Sequence, residues 1–312
     1  MKPPRSSTRV VIATDDPGWH GRVLASGLAR RGYTVDMLSL KDCHLEVGPA
    51  GPTVVMPGFE HELPAGMFVR GVPGGTLEEV ILRLDALHAL SLLDVPVFNT
   101  GRAIERTVDK ALTSFVLALH GIATPRTWVL EQRAAARAIV ADALGRGVRL
   151  VSKPLFGSQG EGLLLLDSLA AFDAATPVNG VWYLQEFVER GGPPYRDWRV
   201  LVVDGVARHA MSRTSEHWIT NRAQGARCEM APVDSGALRD LAERAAAALD
   251  IDYAGVDLMR DGAGQWVVGE VNGVPAWWGL QQACGEAVTD GLLDAFVAKM
   301  RRARMVGAAG AA

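Results

Sequence analysis

The sequence predicts a mixed α/β chain whose regular β-α alternation gives way to an α+β arrangement towards the C-terminus. Three observations carry this. A short apolar run at Arg9–Thr14 leads into a helical stretch and then a second apolar run, the β-α-β opening of a parallel sheet. Between residues 76 and 166, amphipathic stretches of helical spacing alternate with short apolar runs. Beyond residue 181, long apolar runs follow one another across tight turns, the pattern of antiparallel strands.

Each element has its own signal. "GWHGRVLASGLARR" reads as a helix ending near Gly32, and "GYTVDML" as the strand after it. Residues Leu45 to Gly75 are rich in Gly and Pro and read as irregular. Thr76–Leu93 is the clearest amphipathic helix, followed by a strand in "VPVFNTG". "RAIERTVDKALTSFVLALHGI" is one or two helices with Gly121 as C-cap. "TPRTWVL" is a strand, "QRAAARAIVADALGRG" a helix, and "VRLVSKPL" and "LLLLD" strands on either side of the loop "FGSQGEG". "VWYLQEFV" and "DWRVLVVDGVARHAMSR" are strands, "SGALRDLAERAAAAL" a helix, and "YAGVDLMRDGAGQWVVGEVN" a hairpin. "EAVTDGLLDAFVAKMRRAR" is a last helix, with "MVGAAGAA" expected to fray.

The bulk numbers narrow the function classes. A chain of 312 residues suggests two or three lobes, divided here as 1–98, 99–183 and 184–312. A net charge of −3 gives no reason to expect nucleic acid or a membrane surface as partner. The basic cluster Lys299, Arg301, Arg302 and Arg304 reads as a solvated helix end. Cys43, Cys228 and Cys284 lack CxxC spacing, so neither a disulfide framework nor a zinc site is indicated. No apolar run reaches membrane-spanning length and no signal-peptide pattern is found, so a cytoplasmic location is expected.

Two segments carry chemistry. In "GQWVVGEVNGVPAWWG", Glu270 and Asn272 interrupt an apolar strand, and burying a carboxylate there is costly unless it is paired. Both point to one face, because side chains alternate along a strand. If Arg260 lies opposite Gln265, Asp257 falls opposite Val268 and diagonal to Glu270, on that same face. Two carboxylates and an amide oxygen are hard donors suited to Mg²⁺ or Mn²⁺. The bland alternative is an ordinary wet face of an antiparallel sheet. In "KPLFGSQGEG", Lys153 ends a strand and three glycines follow in a β-turn-β flap. The spacing excludes a Walker loop, but Gly-rich backbone beside a Lys suits phosphate oxygens, and Lys110 is a second cation. A plain hairpin turn with an exposed Lys is the alternative.

Taken in order, "NTGRAIERTVDK", "VSKPLFGSQGEG", "LQEFV", "DWRVLVVDG", "HWITNRAQGA", "AGVDLM" and "GEVNGVP" resemble the ATP-grasp superfamily, and within it the RimK-like ligases that join an amino acid or glutamate to a carboxylate. "HWITNRAQG" is similar to the LysX-type branch, and "EVNGVPAWWGLQ" to members associated with pterin cofactors. The resemblance implies the ATP-grasp fold: a Rossmann-like leading domain, then two α+β lobes holding ATP between them. It implies that Lys110 and Lys153 hold the phosphates and that the loop with Gly157, Ser158, Gln159 and Gly160 covers them. Gln185, Glu186, Phe187 and Val188 would line the adenine pocket, and Asp197 would contact the ribose. Arg213 and Asn221 would face the phosphate and acceptor, with Arg213 stabilising the oxyanion of amide formation. Asp257, Glu270 and Asn272 match the metal ligands, for an expected two Mg²⁺ or Mn²⁺ ions. The implied partners are a small-molecule or carrier-protein carboxylate plus an amino acid, in a homodimer or homotetramer. A non-catalytic ATP-binding regulatory module of the same fold is the alternative.

This chain departs from the pattern at Val274-Pro275 and at Ile219 and Gln224, where glutamate-adding members carry arginines that would bind a carboxylate bidentately. Arg222 or Arg227 could take that part. His88 reads as structural, whereas His20 and His217 are better placed for substrate. Arg70 could project from a strand end into the cleft or pair at the surface. Trp277 and Trp278 are either core or the wall of an acceptor pocket, with core slightly favoured.

Overall fold

A computed structural model of the chain describes residues 3–49, 51–157, 160–233, 236–284 and 288–309. The leading part runs β1 (Arg9–Ala13), α1 (Gly18–Arg30), β2 (Thr34–Leu38), β3 (His44–Gly48), β4 (Gly51–Val55), β5 (Met67–Val69), α2 (Leu77–Leu92) and β6 (Val97–Phe98). Strands β2-β1-β5-β6 form a parallel sheet. β1 is nearly all apolar because parallel strands are covered on both faces. A capping box between Thr76 and Glu79 starts α2. The stretch read as irregular holds the antiparallel β3–β4 hairpin and β5. The Gly and Pro content that hid them marks the turns between strands of only three to five residues.

Two helices follow, α3 (Gly101–Val108) and α4 (Lys110–Leu119). They are two because the Asp109 carboxylate caps the amides of Ala111 and Leu112 and restarts the helix. β7 (Thr127–Leu130), α5 (Arg133–Gly145), β8 (Leu150–Lys153), β9 (Leu164–Leu166), α6 (Leu169–Ala174) and β10 (Trp182–Glu186) form a second unit. Its antiparallel sheet β7-β10-β8-β9 encloses its own core of Val140, Leu150, Phe172 and Trp182. β8 and β9 pair across the Gly-rich loop, so that loop is the turn of a hairpin.

The third unit holds β11 (Tyr195–Val203), β12 (Val206–Ser215), β13 (Arg227–Ala231), α7 (Gly236–Ala248), β14 (Tyr253–Arg260), β15 (Trp266–Asn272), α8 (Trp278–Cys284) and α9 (Val288–Ala309). Its sheet runs β13-β12-β11-β14-β15. α6, β13 and α8 are not apparent in the sequence. Their short lengths, five to seven residues, leave too few turns for a period to show. α7 packs on one face of this sheet in a core that also includes Ala103 and Leu117 of α3 and α4. α9 fills the other side, with Leu292, Phe296 and Met300 meeting Val10 and Phe68 of the leading sheet and Leu201 and Tyr253 of the large one. The leading sheet and the five-stranded sheet therefore share a core.

The helix end read as solvated is solvated only in part: Arg301 and Arg302 are exposed, Arg302 facing Asp204 at 3.3 Å, whereas Lys299 pairs with Asp252 at 2.7 Å and donates to the Val97 carbonyl. The helix continues to Ala309 where fraying was expected. Asn99 is wholly buried at the seam between sheets. Its amide donates to the carbonyls of Tyr253 and Gly273 and accepts from the amides of Asp252 and Tyr253. All its hydrogen-bonding capacity fixes the two ends of the β14–β15 hairpin.

Candidate active site

The β14–β15 hairpin carries the acidic patch, in a register different from the expected one. Arg260 pairs with Trp266 and Leu258 with Val268, and Asp257 then stands directly opposite Glu270. The shift is a bulge at Gly269. A side chain at 269 would stand 2.7 Å from Met259 Cε, so glycine is what fits there. The bulge returns Glu270 and Asn272 to the face of Asp257, which the assumed register reached by another route.

Asp257 is buried between two arginines. Arg199 donates from Nε at 2.7 Å and from Nη2 at 2.6 Å, and Arg213 Nη2 approaches to 3.0 Å. Burial opposes the Asp257 charge, but Arg199 and then Arg213 outweigh it and hold the carboxyl below the usual carboxylate range. Burial likewise opposes charge on Arg213, and Asp257 and Asp197 together raise its pKa above the ordinary guanidinium value. Among the described residues no third carboxylate, His or Cys joins Asp257 and Glu270, and the Asn272 amide is the candidate third donor. Its Nδ2 donates to the Gly255 carbonyl at 3.4 Å, which leaves Oδ1 available as an acceptor. Two carboxylates and an amide oxygen on neighbouring strands fit a hard divalent cation. Carboxylate oxygens have lone pairs enough to serve a cation and an arginine together.

One cavity lies between the small antiparallel sheet and the large one. Val151, Lys153, Gln185, Glu186, Phe187 and Val188 line it from the first, and Asp197, Arg213, Asn221, Asp257, Met259 and Glu270 from the second. Lys153 Nζ donates to Gln185 Oε1 at 2.6 Å, and Gln185 in turn donates to Thr127 and Tyr183. Burial pulls the Lys153 pKa down to about 8, against the opposing pull of Glu270. Lys110 donates to the Gly157 carbonyl at 2.7 Å and lies 3.5 Å from Glu270, tying α4, the Gly-rich turn and β15 together. Gly160 has φ +77, and a Cβ on it would stand 2.8 Å from Asn221 Oδ1. The turn thus closes against the loop after β12. Ser158 and Gln159, expected beside it, lie outside the described residues.

Asp197 lines this cavity, but its carboxylate is committed to Arg213 at 2.7 Å and to the Thr220 hydroxyl at 2.5 Å. Instead of reaching outward for a ribose, it anchors Arg213. Arg213 is itself held by Asp197 and Asp257, so the candidate for oxyanion stabilisation is fixed in place.

A second cavity, of about 550 Å³, adjoins the first. Arg213, Asn221 and Glu270 line both. Its other walls include His20, Arg70, Arg199, Arg222, Asn272 and Trp278. The two tryptophans divide the roles between them. Trp277 is core, donating from its indole to Thr289 at 2.9 Å, while Trp278 walls this cavity with the Arg222 guanidinium 4.0 Å from its ring centre. Arg222 is thus placed for substrate, and Arg227 is not, being paired with Glu229 at 2.6 Å on the surface. His88 is structural, bonded to Glu105 at 2.9 Å. His217 is exposed and lines neither cavity.

The structure therefore gathers Lys153, Gln185 to Val188, Asp197, Arg213, Asn221, Asp257 and Glu270 around one space, with Asn272 on the next. Arg199, Arg190 and Trp218 escape sequence reasoning. Arg190 stacks 5.9 Å from the Phe187 ring at the first cavity. Arg199 has a usable signal: it lies on Asp257's neighbouring strand, in the residue pair directly across from it.

Known proteins resemble this chain in sequence and in fold. A RimK-like ATP-grasp domain matches residues 107–296. The tetrahydromethanopterin:alpha-L-glutamate ligase of Methanococcus maripaludis is 35% identical over 236 residues, covering 73% of this chain and 77% of that protein. The alpha-aminoadipate–LysW ligase LysX of Saccharolobus solfataricus is 29% identical over 191 residues, covering 58% and 67%. Among solved structures, the ATP-grasp ligase PsnB complexed with minimal precursor, Mg and ADP superposes with a TM-score of 0.70 at 21% identity, over 95% of this chain and 99% of that one. The D-cycloserine synthetase DcsG superposes with a TM-score of 0.68 at 19% identity, over 94% and 100%. These structural likenesses establish the fold.

Proposed function

The chain belongs to the RimK-like ATP-grasp family, an ATP-dependent carbon–nitrogen ligase by that membership, and we propose that it adds glutamate or a similar amino acid to a carboxylate of a small molecule, cofactor or carrier protein. The observation that carries this reading is the meeting of two cavities at Arg213, Asn221 and Glu270. A nucleotide in the first places its terminal phosphate where a carboxylate in the second can attack it.

The reaction has two steps. The carboxylate oxygen attacks the γ-phosphorus of ATP, the bond to the β-phosphate oxygen breaks, and an acylphosphate and ADP form. The amine nitrogen of the amino acid then attacks the acyl carbon and phosphate leaves, giving an amide after loss of a proton. Asp257, Glu270 and Asn272 would hold Mg²⁺ or Mn²⁺, as two ions in this proposal, and the metal when bound neutralises charge on the phosphoryl oxygens. Lys153 and Lys110 contribute positive charge at the same oxygens. Arg213 donates towards the oxyanion of the second step, and its fixation by two carboxylates means it does not reorganise as charge develops. The turn around Gly160, closed against Asn221, keeps water from the acylphosphate.

The test is ADP release by purified protein, screened over glutamate, lysine and other amine donors with candidate carboxylates. ADP formation that needs both partners supports the proposal. ATP binding without amine-dependent turnover points to the regulatory alternative. Assembly into a homodimer or homotetramer, also proposed, rests on a stripe of exposed apolar side chains, Val108, Leu112, Phe115 and Leu119, along α4 and its approach. Light scattering at micromolar concentration checks it. Among the described residues no helix is long and apolar enough to cross a membrane, and a cytoplasmic location remains part of the proposal.

A further inference from the structure

Arg70 directly follows β5 at the C-terminal edge of the leading sheet and reaches the second cavity. Its charge is left uncompensated by the protein. Nε is buried and has no hydrogen-bond partner. Nη1 donates to the Val274 carbonyl at the long distance of 3.4 Å, and the guanidinium stacks 5.3 Å from the Trp277 ring. Among the described residues no carboxylate forms an ion pair with it. Burial lowers its pKa, and the one group that opposes this is Tyr253. The Tyr253 hydroxyl donates to the Val69 carbonyl and has its own pKa pushed up by burial, so it stays neutral.

Buried guanidinium groups are ordinarily paired, because desolvation costs several kcal/mol if they are not. Arg199 and Arg213, which line the same cavity, follow that rule by sharing Asp257. Arg70 breaks it. Its neighbour His20 brings no compensating charge. Burial and then Arg70 push His20 down to about 4, and its Nε2 accepts from the Trp277 amide at 3.2 Å. The ring proton is then on Nδ1, a second donor beside the guanidinium. At the opposite wall the Arg222 guanidinium sits 4.0 Å from the Trp278 ring centre, with no acidic partner among the described residues. Arg70 and His20 also line a further cavity around the β1–α1 loop, bounded by Asp16, Pro17 and Val72. A ligand anchored at Arg70 thus has room on both sides.

Resting on the ligase reading above, we propose that Arg70, supplied by the leading sheet and assisted by Arg222, binds a carboxylate that takes no part in the reaction, and so sets a preference for a dicarboxylic substrate. That carboxylate could come from the incoming amino acid or from the acceptor; the chemistry at Arg70 is the same. A guanidinium fork holds a carboxylate bidentately, which a monocarboxylate already committed to the reaction centre cannot satisfy.

The experiment is calorimetric titration of the full chain, with Mg²⁺ and a non-hydrolysable ATP analogue, using glutarate, L-glutamate and butyrate as probes. Wild-type protein is expected to bind a dicarboxylate about tenfold more tightly than butyrate. Arg70→Ala should abolish that preference while leaving analogue affinity unchanged, and Arg70→Lys should restore part of it. Loss of L-glutamate binding assigns the carboxylate to the amino acid, and loss of glutarate binding alone assigns it to the acceptor. Should Arg70→Ala not fold by circular dichroism, Arg70→Gln keeps the volume and hydrogen bonding and carries the same expectation. Equal binding of mono- and dicarboxylates by wild type, or a preference that survives without the Arg70 charge, overturns the proposal. ADP release is scored separately. A dicarboxylate preference that depends on Arg70 without turnover of any substrate pair removes the ligase reading and leaves the Arg70 site standing. Turnover in wild type that Arg70→Ala does not alter removes only the site.

Discussion

Arg199 and Asp257 face each other on adjacent strands in a bidentate pair, Nε to Oδ1 at 2.7 Å and Nη2 to Oδ2 at 2.6 Å, with the candidate ligand Glu270 across from Asp257 on the next strand. The guanidinium fixes the carboxylate plane and keeps it ionised. Arg199→Ala should therefore destabilise the protein by about 3 kcal/mol, the lower end for a broken buried pair because Arg213 still faces Asp257. Urea denaturation measures this. Mg²⁺ affinity of the variant should also fall as pH drops towards the ordinary carboxylate range, which wild type resists.

Glu270 is different, since its side chain is 30% exposed and Lys110 is 3.5 Å away. Glu270→Ala should leave the circular dichroism spectrum unchanged and lower Mg²⁺-dependent ADP formation about a hundredfold or more. Full activity in this variant would remove the carboxylate from the ligand set.

Lys153 makes two pH dependences of opposite sign. Its folded pKa of about 8 lies below the ordinary 10.5, so between these values the unfolded chain holds a proton that the folded one lacks. Stability of the nucleotide-free protein should rise with pH across that window. ATP affinity should fall over the same window, because the phosphates need the ammonium. Arg at 153 stays charged, so Lys153→Arg should flatten both curves; fluorescence titration and thermal melts at pH 7 to 10 would show it.

Gly160 combines a left-handed φ of +77 with a site where an added Cβ would stand only 2.8 Å from Asn221 Oδ1. Gly160→Ala should keep the turn from seating. We expect a raised KM for ATP, and ADP release that outruns amide formation as exposed acylphosphate meets water. A product-to-ADP ratio equal to wild type would contradict the closing role of this turn.

Asn99→Ala removes four hydrogen bonds from buried backbone groups at the base of the hairpin. About 3 kcal/mol or more of stability should be lost, with part of the activity, because the hairpin ends set where Glu270 and Asn272 stand. Chemical denaturation and ADP release together would separate the two losses.

Much of this was legible in the residues themselves. Glu270 and Asn272 stand out because polar groups in an apolar strand need partners, and Lys153 because it precedes glycines. The register was harder to read. The bulge at Gly269 depends on Met259 crowding the strand from its neighbour, a contact that no local pattern records. The roles of Asp197 and Arg213 were hidden for a related reason. In sequence each looks free for substrate, and only the antiparallel pairing of β11 and β12, which sets Asp197 across from Arg213, shows that they occupy each other. Arg70 was legible as a strand-end cation, whereas the want of a counter-charge around it is a property of the packed fold.

Because the leading sheet and the five-stranded sheet share a core while the small antiparallel sheet keeps its own, the two cavities have walls of different kinds. The chamber of Arg70 and Trp278 is built entirely from the fused body. The first cavity borrows one wall, with Lys153 and Gln185, from the separate one. The first cavity thus exists only where two separately built cores meet, whereas the second is a hollow within one of them.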